Sequence, residues 1–89
     1  MRAIVTVVGK DKVGIIAGVC TALADHNVNV LDIRQTVMQG YFTMMMVTDV
    51  SGSVLPVAEL AKQLEEKGKE MNLSIRLQRE DIFDAMHRV

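Results

Sequence analysis

The stretch best suited to chemistry is a short loop between two apolar segments, in which two glycines stand five positions apart. Gly9 and Gly14 enclose Lys10, Asp11 and Lys12. A loop that leads into a helix presents unpaired backbone amides and a partial positive charge, which together attract anions. The lysines could add attraction for a carboxylate, and Asp11 could accept a hydrogen bond from an ammonium group. This residue set matches the two charged ends of a free amino acid.

A nucleotide fits the same loop poorly. In a P-loop the second glycine is followed by a lysine that reaches the phosphates and by a Ser or Thr that ligates magnesium. Here Ile15 and Ile16 follow Gly14, and they can neither neutralise phosphate nor hold a metal. A purely structural role is the other reading, in which Gly9 ends a strand, Asp11 caps a helix and the lysines are solvated. The spacing alone leaves the amino-acid and structural readings open.

The remaining reactive residue types are few. Cys20 lies on the apolar stripe of the predicted first helix, with Ile16, Val19 and Leu23, which indicates a buried structural thiol rather than a nucleophile. His26 and His87 lie at predicted helix ends, where a solvated or capping role is expected. Where small metal carriers have a Cys-x-x-Cys loop, this chain reads Gly-Lys-Asp-Lys. We therefore expect no catalytic residue, metal ligand or cofactor, and no enzymatic activity.

Length and composition describe one small domain with an aliphatic core. The chain has 89 residues, 49% hydrophobic but only 3% aromatic, so we expect a single domain over residues 1–89. A formal net charge of −1 gives no long-range attraction for nucleic acid or an anionic membrane. The single cysteine fits a reducing compartment, and we find no apolar run typical of a membrane span or signal peptide. These features predict a cytoplasmic protein.

The apolar periodicity predicts four strands and three helices. Period-two alternation indicates strands and a 3.6-residue period indicates helices. A change of phase inside the second strand predicts a bulge, and Gln39-Gly40 predicts a hairpin turn into the third. The expected elements, in order, are a strand over 3–8, a helix over about 14–26 with Asp11 as its N-cap, a strand over about 28–38, a strand over 42–47, a helix with Pro56 at its start and a buried stripe over 57–71, a strand over 73–78 and a short final helix from about 82.

The order βαββαβ predicts an α+β fold of the ferredoxin-like type, a four-stranded antiparallel sheet with two helices on one face and a short C-terminal helix. One sheet face and the edge strands then need a partner, because unpaired edge backbone is a template for association. The second strand is long and apolar, so we expect a homodimer that extends the sheet edge to edge. RNA-binding sheets of this type stack bases on aromatic side chains, and the middle strands offer only Tyr41 and Phe42.

The stretch GKDKVGIIAGVCTALADHNVNVLDI resembles the ACT domain, a small regulatory module. The family pattern is a strand, Asp/Asn-x-Pro-Gly-Ile/Leu, a helix and an Ile-Asn-Ile entering the second strand. The matching residues here are 11–15 and, fifteen positions after Gly14, the centre of Val28-Asn29-Val30. With YFTMMMV and the tail at 82–86, the whole chain resembles the small stand-alone ACT proteins of the UPF0237 type, related to the glycine cleavage system repressor.

The resemblance implies a side-by-side dimer with the second strands adjoining, and an amino acid bound where the loop of one subunit faces the second strand of the other. Val13 stands where the family usually has proline, which loosens the loop. Asp11 stands where known ligand sites often have asparagine, so the amine of the ligand would face Asp11, or the ligand would be a different compound. The ligand-binding residues that the resemblance implies are Gly9, Lys10, Asp11, Val13, Gly14, Ile15 and, from the partner, Asn29.

The sequence therefore favours a non-enzymatic, dimeric amino-acid sensor whose occupancy alters docking to another protein. Two other functions remain open. The first is a ligand-free assembly module in which the loop only caps a helix. The second is a transcription-linked or RNA-binding protein, an idea prompted by the repressor relatives, although direct contact with nucleic acid is not expected from the charge.

Overall fold

The computed structural model describes residues 1–10 and 13–86, and these form a four-stranded sheet with three helices. The strand order is β2-β3-β1-β4, and each neighbouring pair is antiparallel. This arrangement confirms the predicted ferredoxin-like α+β fold with a short C-terminal helix. The elements are β1 (Arg2–Lys10), α1 (Ile15–Asp25), β2 (Asn29–Met38), β3 (Tyr41–Asp49), α2 (Val57–Glu70), β4 (Leu73–Arg79) and α3 (Glu80–Met86).

The core lies between α1, α2 and one face of the sheet. Alternate residues of the strands point into it. On β1, which lies between β3 and β4, Ala3, Val5 and Val7 are fully buried, whereas Val8 is 43% exposed. The Thr48 hydroxyl, which is fully buried, donates to the Ala3 carbonyl oxygen at 2.9 Å. The largest side chains with under 2% exposure are Leu23, Met44, Met46, Leu60 and Leu64.

The start of α1 differs from the prediction in two ways. Gly14, with φ of 90°, occupies the N-cap position without a side-chain cap bond, whereas the predicted cap, Asp11, lies outside the described residues. Ile16, which was expected on the buried stripe, is exposed, and Cys20 is half-buried. The reason is helical phase: the helix begins at Ile15, and the buried positions recur every four residues as Ile15, Val19 and Leu23.

The hairpin of β2 and β3 follows the sequence prediction closely. The register shifts between Val30 and Asp32, which confirms the expected bulge. Gln39 and Gly40 both have positive φ, 50° and 84°, as required by the type I′ turn that suits a two-residue hairpin. β2 pairs with β3 alone, and every residue from 31 to 38 is exposed. One long edge of the sheet is therefore open within a single subunit.

Candidate functional site

The predicted loop joins the end of β1 to the start of α1. Gly18 N–H donates to the Gly14 carbonyl at 2.8 Å, which closes the first turn of the helix. The N–H groups of the first helical turn have no partner within the helix, and they carry the positive end of its dipole. The backbone at Gly14 thus presents donors suited to a carboxylate.

The two glycines of the loop are glycine for different reasons. A Cβ on Gly9 would lie 2.4 Å from Leu73 Cδ2 and 3.3 Å from the Asn72 carbonyl oxygen, so β4 excludes a side chain there. A Cβ on Gly14 would have nothing within 4 Å among the non-neighbouring residues that the structure describes, and Gly14 instead satisfies a left-handed φ of 90°. Gly9 therefore has a packing role, while the described residues leave the space beside Gly14 open.

The other loop residues divide by exposure. Lys10 is exposed at the end of β1, and Val13 is fully exposed. Ile15 is only 2% exposed, so its side chain belongs to the core and only its backbone N–H can reach a ligand. Asp11 and Lys12 lie outside the described residues, and their roles stay predictions.

Asn29 lies at the opposite end of the sheet from the loop. Because β1 and β2 are each antiparallel to β3, they run in the same direction. Arg2 and Asn29 both pair with Asp49, whereas Lys10 pairs with Tyr41. The eight steps along β1 from Arg2 to Lys10 correspond to about 27 Å at the usual strand rise. The loop and Asn29 are therefore not brought together within one subunit.

The pairing also fixes the face on which Asn29 lies. Its partner Asp49 follows the buried Thr48, so Asn29 and Asp49 lie on the sheet face opposite the helices. Asn29 is exposed. Its side chain could reach a ligand at the start of a helix only around the edge of the sheet.

Asp49 is the titratable group near Asn29 whose environment is most clearly altered. Its pKa lies below the ordinary aspartate value, first because the Ser51 N–H donates to Oδ1 at 2.9 Å and next because the Ser51 hydroxyl donates to it. The Met1 ammonium, 3.5 Å from Oδ1, adds attraction. Asp49 thus anchors the turn after β3 rather than serving as a base.

An open groove of about 410 Å³ lies between α1 and α2, away from the predicted loop. Small residues line it on α1, including Gly18 and Ala22, and carboxylates line it at Asp25, Glu66 and Glu70. The surplus of negative charge disfavours the carboxylate of an amino acid. We therefore keep the loop, rather than the groove, as the candidate site.

The edge of β2, which the sequence predicts to need a partner, is exposed in one subunit. Leu31, Ile33 and Val37 alternate like core residues, yet they are 50%, 39% and 54% exposed. Of the two aromatic residues in β3, Phe42 is buried and Tyr41 is exposed, so only one ring is available to stack on a base. Within the described ranges, no cluster of three His, Cys, Asp or Glu side chains could hold a metal, and no helix is long and apolar enough to cross a membrane.

The fold, the glycine-flanked helix start and the open β2 edge define a small α+β domain of the ferredoxin-like class. A sequence model of the ACT domain matches residues 2–78. A UPF0237 protein from Clostridium acetobutylicum is 56% identical over 89 residues, which cover the whole of both chains. The chain belongs to the ACT domain family, and its likeness to the small stand-alone members is confirmed.

Solved structures agree with this assignment. An ACT domain protein from Streptococcus pneumoniae matches with a TM-score of 0.84 and 45% identity over 98% of each chain. The regulatory subunit of aspartate kinase from Thermus thermophilus, in a ligand-free form, has a TM-score of 0.67 and 25% identity over 86% of this chain and 50% of its own. A candidate glycine cleavage system transcriptional repressor has a TM-score of 0.73 but 20% identity over 86% and 44%, which shows a shared fold alone.

Proposed function

We propose that this ACT domain is a non-enzymatic sensor of a free amino acid that acts as a homodimer, with the ligand at the subunit interface. The observation that carries the proposal is the open start of α1. Gly14 has a left-handed φ, and apart from its chain neighbours no atom of residues 1–10 and 13–86 lies within 4 Å of the position of a Cβ, so these residues leave a carboxylate room to approach the first-turn amides. The small-molecule-binding, regulatory character of ACT domains supports the same conclusion.

A second subunit supplies what one subunit lacks. Within a chain, the loop and Asn29 lie at opposite ends of the sheet. If two β2 strands join antiparallel, the start of one lies beside the end of the other. Asn29 of the second copy then approaches the same end of the sheet as Gly14, although on the face opposite the helices.

The exposed edge supports the dimer independently of any ligand. Residues 31–38 of β2 are all exposed, and a long edge strand with apolar side chains is prone to pair with another chain. Burying Leu31, Ile33 and Val37 against a second copy would remove apolar surface from water. The same contact would satisfy the outward backbone groups of β2.

Charge sets the orientation of the ligand in this proposal. The carboxylate lies at the amides near Gly14, and Lys10 adds attraction. Asp11 would repel that carboxylate at close range and would instead hold the amine. The natural ligand is therefore expected to be a zwitterion rather than a dicarboxylate.

Ligand binding would regulate by changing the preferred arrangement of the dimer. A ligand shifts an equilibrium only by its difference in affinity for two states, and a site shared by two subunits can provide that difference. The partner that reads the change would be another protein in the cytoplasm, the compartment that the single cysteine supports. The regulatory subunit of an aspartate kinase, similar in fold, makes an enzyme partner reasonable.

A ligand-free assembly module is the second candidate, and one observation favours it. Gly9 is explained by its contact with Leu73 and Gly14 by its backbone conformation, so neither glycine requires a ligand. A transcription-linked role is the third candidate. The net charge of −1 favours action through a protein rather than by direct contact with nucleic acid.

Isothermal titration calorimetry with a panel of free amino acids tests the sensor proposal. We expect heat from at least one amino acid, with affinity lowered at least tenfold by Asp11→Ala and to a smaller extent by Asn29→Ala. Asn27→Gly is the matched control, because Asn27 has φ of 60° and its side chain bonds the Gly52 carbonyl, a structural role. Heat from no amino acid, with a dimer in solution, would replace the sensor by the assembly module.

A further inference from the structure

We propose that two copies join along β2 in one register, with Ile33 of one copy opposite Ile33 of the other, and that Asp32 and Arg34 select this register. The inference rests on the homodimer proposed above and specifies its contact. It comes from the direction of the backbone groups at Ile33 and from the signs of the two neighbouring charges.

The Ile33 backbone faces the open edge of the sheet. Its N–H donates to the Asp32 carboxylate Oδ1 at 2.8 Å, and an amide has a single hydrogen, so this N–H is directed away from β3. In a strand the N–H and C=O of one residue point to the same side, and the side alternates along the chain. Ile33, Gln35 and Val37 therefore present their backbone groups to a second copy.

This direction limits the possible registers. In an antiparallel pair, two residues that exchange both backbone hydrogen bonds must both point toward the other strand. Odd-numbered residues of one β2 must therefore face odd-numbered residues of the other. The allowed registers near the middle of the strand therefore place residue 31, 33 or 35 of the second copy opposite Ile33 of the first.

The register that centres on Ile33 joins opposite charges. Asp32 pairs with Val47 and Arg34 with Met45 across β3, so both charges lie on the sheet face opposite the helices. When Ile33 faces Ile33, the carboxylate of Asp32 faces the guanidinium of Arg34 in the second copy, and the two-fold axis repeats the pair. Opposite charges directly across two strands are stabilising.

Each adjacent register opposes like charges. If residue 33 faces 31, the two Asp32 carboxylates face each other. If residue 33 faces 35, the two Arg34 guanidinium groups do. Like charges directly opposite one another destabilise a strand pair, so both slips are disfavoured. The pair of charges thus favours one arrangement and opposes both of its neighbours.

A register centred on residue 35 also avoids like charges. It pairs residues 32–38 of each strand, all beyond the bulge, whereas the register centred on Ile33 overlaps 29–37 and includes the bulge between Val30 and Asp32. It leaves Asp32 opposite Met38 and Arg34 opposite Thr36, however, so neither charge meets an opposite charge. The charges therefore favour Ile33 at the two-fold axis.

The single subunit leaves both charges available. Within the part of the chain that the structure describes, Arg34 has no ion-pair partner, and Asp32 bonds only the N–H of Ile33. That local bond shields the edge before association. On association the Ile33 N–H donates to the second copy and the Asp32 carboxylate becomes free for Arg34.

Disulfide trapping tests the register. In a Cys20→Ala background, which removes the native thiol, Ile33→Cys places two cysteines opposite each other with Cα atoms about 5.5 Å apart, within disulfide range. Gln35→Cys is the matched control on the same strand face, and its two copies lie about 14 Å apart in this register. We expect Ile33→Cys to cross-link at least tenfold faster in a glutathione redox buffer. Faster cross-linking of Gln35→Cys, or equal rates, would overturn the register.

Charge reversal tests the selecting residues. By analytical ultracentrifugation we expect Asp32→Arg or Arg34→Asp alone to raise the dimer dissociation constant at least tenfold, and the double exchange to return it to within threefold of the parent. Arg76→Asp, an exposed charge on β4, serves as the control and should leave it unchanged. If the parent dimerises but the single reversals have no effect, only the register inference fails. A parent that stays monomeric would overturn the homodimer itself, and the register with it.

Discussion

The two edges of this sheet differ, although both are built from alternating apolar strands. β4 is covered by α2, and its apolar residues Leu73, Ile75 and Leu77 are between 2% and 8% exposed. β2 has no helix over its outer part, and Ile33 is 39% exposed. Both are edge strands, but the chain itself covers the apolar side chains of β4 and leaves those of β2 exposed.

The contrast separates residues that stabilise a single subunit from residues that would stabilise only an assembly. A residue whose contacts are all internal contributes to folding whatever the protein concentration. A residue whose apolar surface is exposed in one subunit contributes only when a second copy is present, since association stabilises by mass action. The two edges should therefore respond differently to matched substitutions.

The largest difference is expected between two isoleucine truncations. Ile75→Ala removes a buried side chain from β4 and should lower the free energy of unfolding by about 2–5 kcal/mol. Ile33→Ala at low protein concentration should lower it by only about 1 kcal/mol or less, because Ile33 is already 39% exposed. Urea denaturation followed by circular dichroism measures both.

Protein concentration supplies the control for this pair. Raising the concentration should increase the apparent stability of the parent and of Ile75→Ala. The increase should be smaller for Ile33→Ala. If Ile33→Ala costs as much as Ile75→Ala in dilute monomer, the outer part of β2 is not an open edge, and the contrast between the edges is wrong.

The sequence could not distinguish these two isoleucines. Both lie in strands of alternating apolar residues, and alternation gives the element and the face but not the neighbour that covers it. Element order, the bulge near Val30 and the Gln39-Gly40 turn were predictable because each depends on residues close in sequence. Coverage of an edge depends on where a distant helix packs.

The candidate site likewise has features that local sequence predicted and features that depend on distant residues. The loop between β1 and α1 was predictable from its glycines and its position before an amphipathic helix. The reason for Gly9 was not, because Leu73, which excludes a side chain there, lies on β4. The separation of Asn29 from the loop follows from strand direction, which a local pattern does not contain. The exposure of Ile16 depended on the residue at which α1 begins.

The next largest effect should come from two helical glycines. A Cβ on Gly68 of α2 would lie 2.7 Å from the Leu73 carbonyl oxygen and 3.0 Å from Ile75 Cγ1, so α2 or β4 must move. Gly68→Ala should therefore destabilise by about 1–3 kcal/mol despite the better helix propensity of alanine. Thermal unfolding monitored by circular dichroism checks this value.

Gly18→Ala on α1 is the matched control. The added methyl group would meet only the mobile end of Met71, at 2.6 Å from Cε, and a methionine side chain can shift. Gly18→Ala should change the free energy of unfolding by less than about 1 kcal/mol, and the higher helix propensity of alanine can make the substitution stabilising. A Gly68→Ala protein as stable as the parent would indicate that α2 does not pack tightly on β4.

A smaller effect is expected at the Gln39-Gly40 turn, which connects β2 to β3. Gly40 has φ of 84° with open space around it, so Gly40→Ala should cost about 1–2 kcal/mol through backbone strain alone. Gln39→Asn, at φ of 50°, should instead stabilise slightly, because asparagine tolerates this region. Hydrogen exchange of the β2 amides measures whether the strand loosens before the rest of the sheet, and uniform loosening would mean that β2 unfolds only with the core.

The smallest effect concerns the other end of β2, where Asn29 pairs with Asp49. The pKa of Asp49 is lowered on folding, chiefly by the Ser51 N–H. A carboxylate whose pKa is lower in the folded state adds stability above its unfolded pKa, and this stability is lost as the pH falls through its folded pKa.

Asp49→Asn should therefore reduce the urea midpoint near pH 6 and leave it nearly unchanged near pH 2. Asp84→Asn is the control, because it changes an exposed carboxylate on α3 that has no hydrogen bond with the residues that the structure describes. An equal loss for Asp49→Asn at both pH values would mean that its effect is on packing rather than on charge, and that this end of β2 is not held through the Asp49 carboxylate.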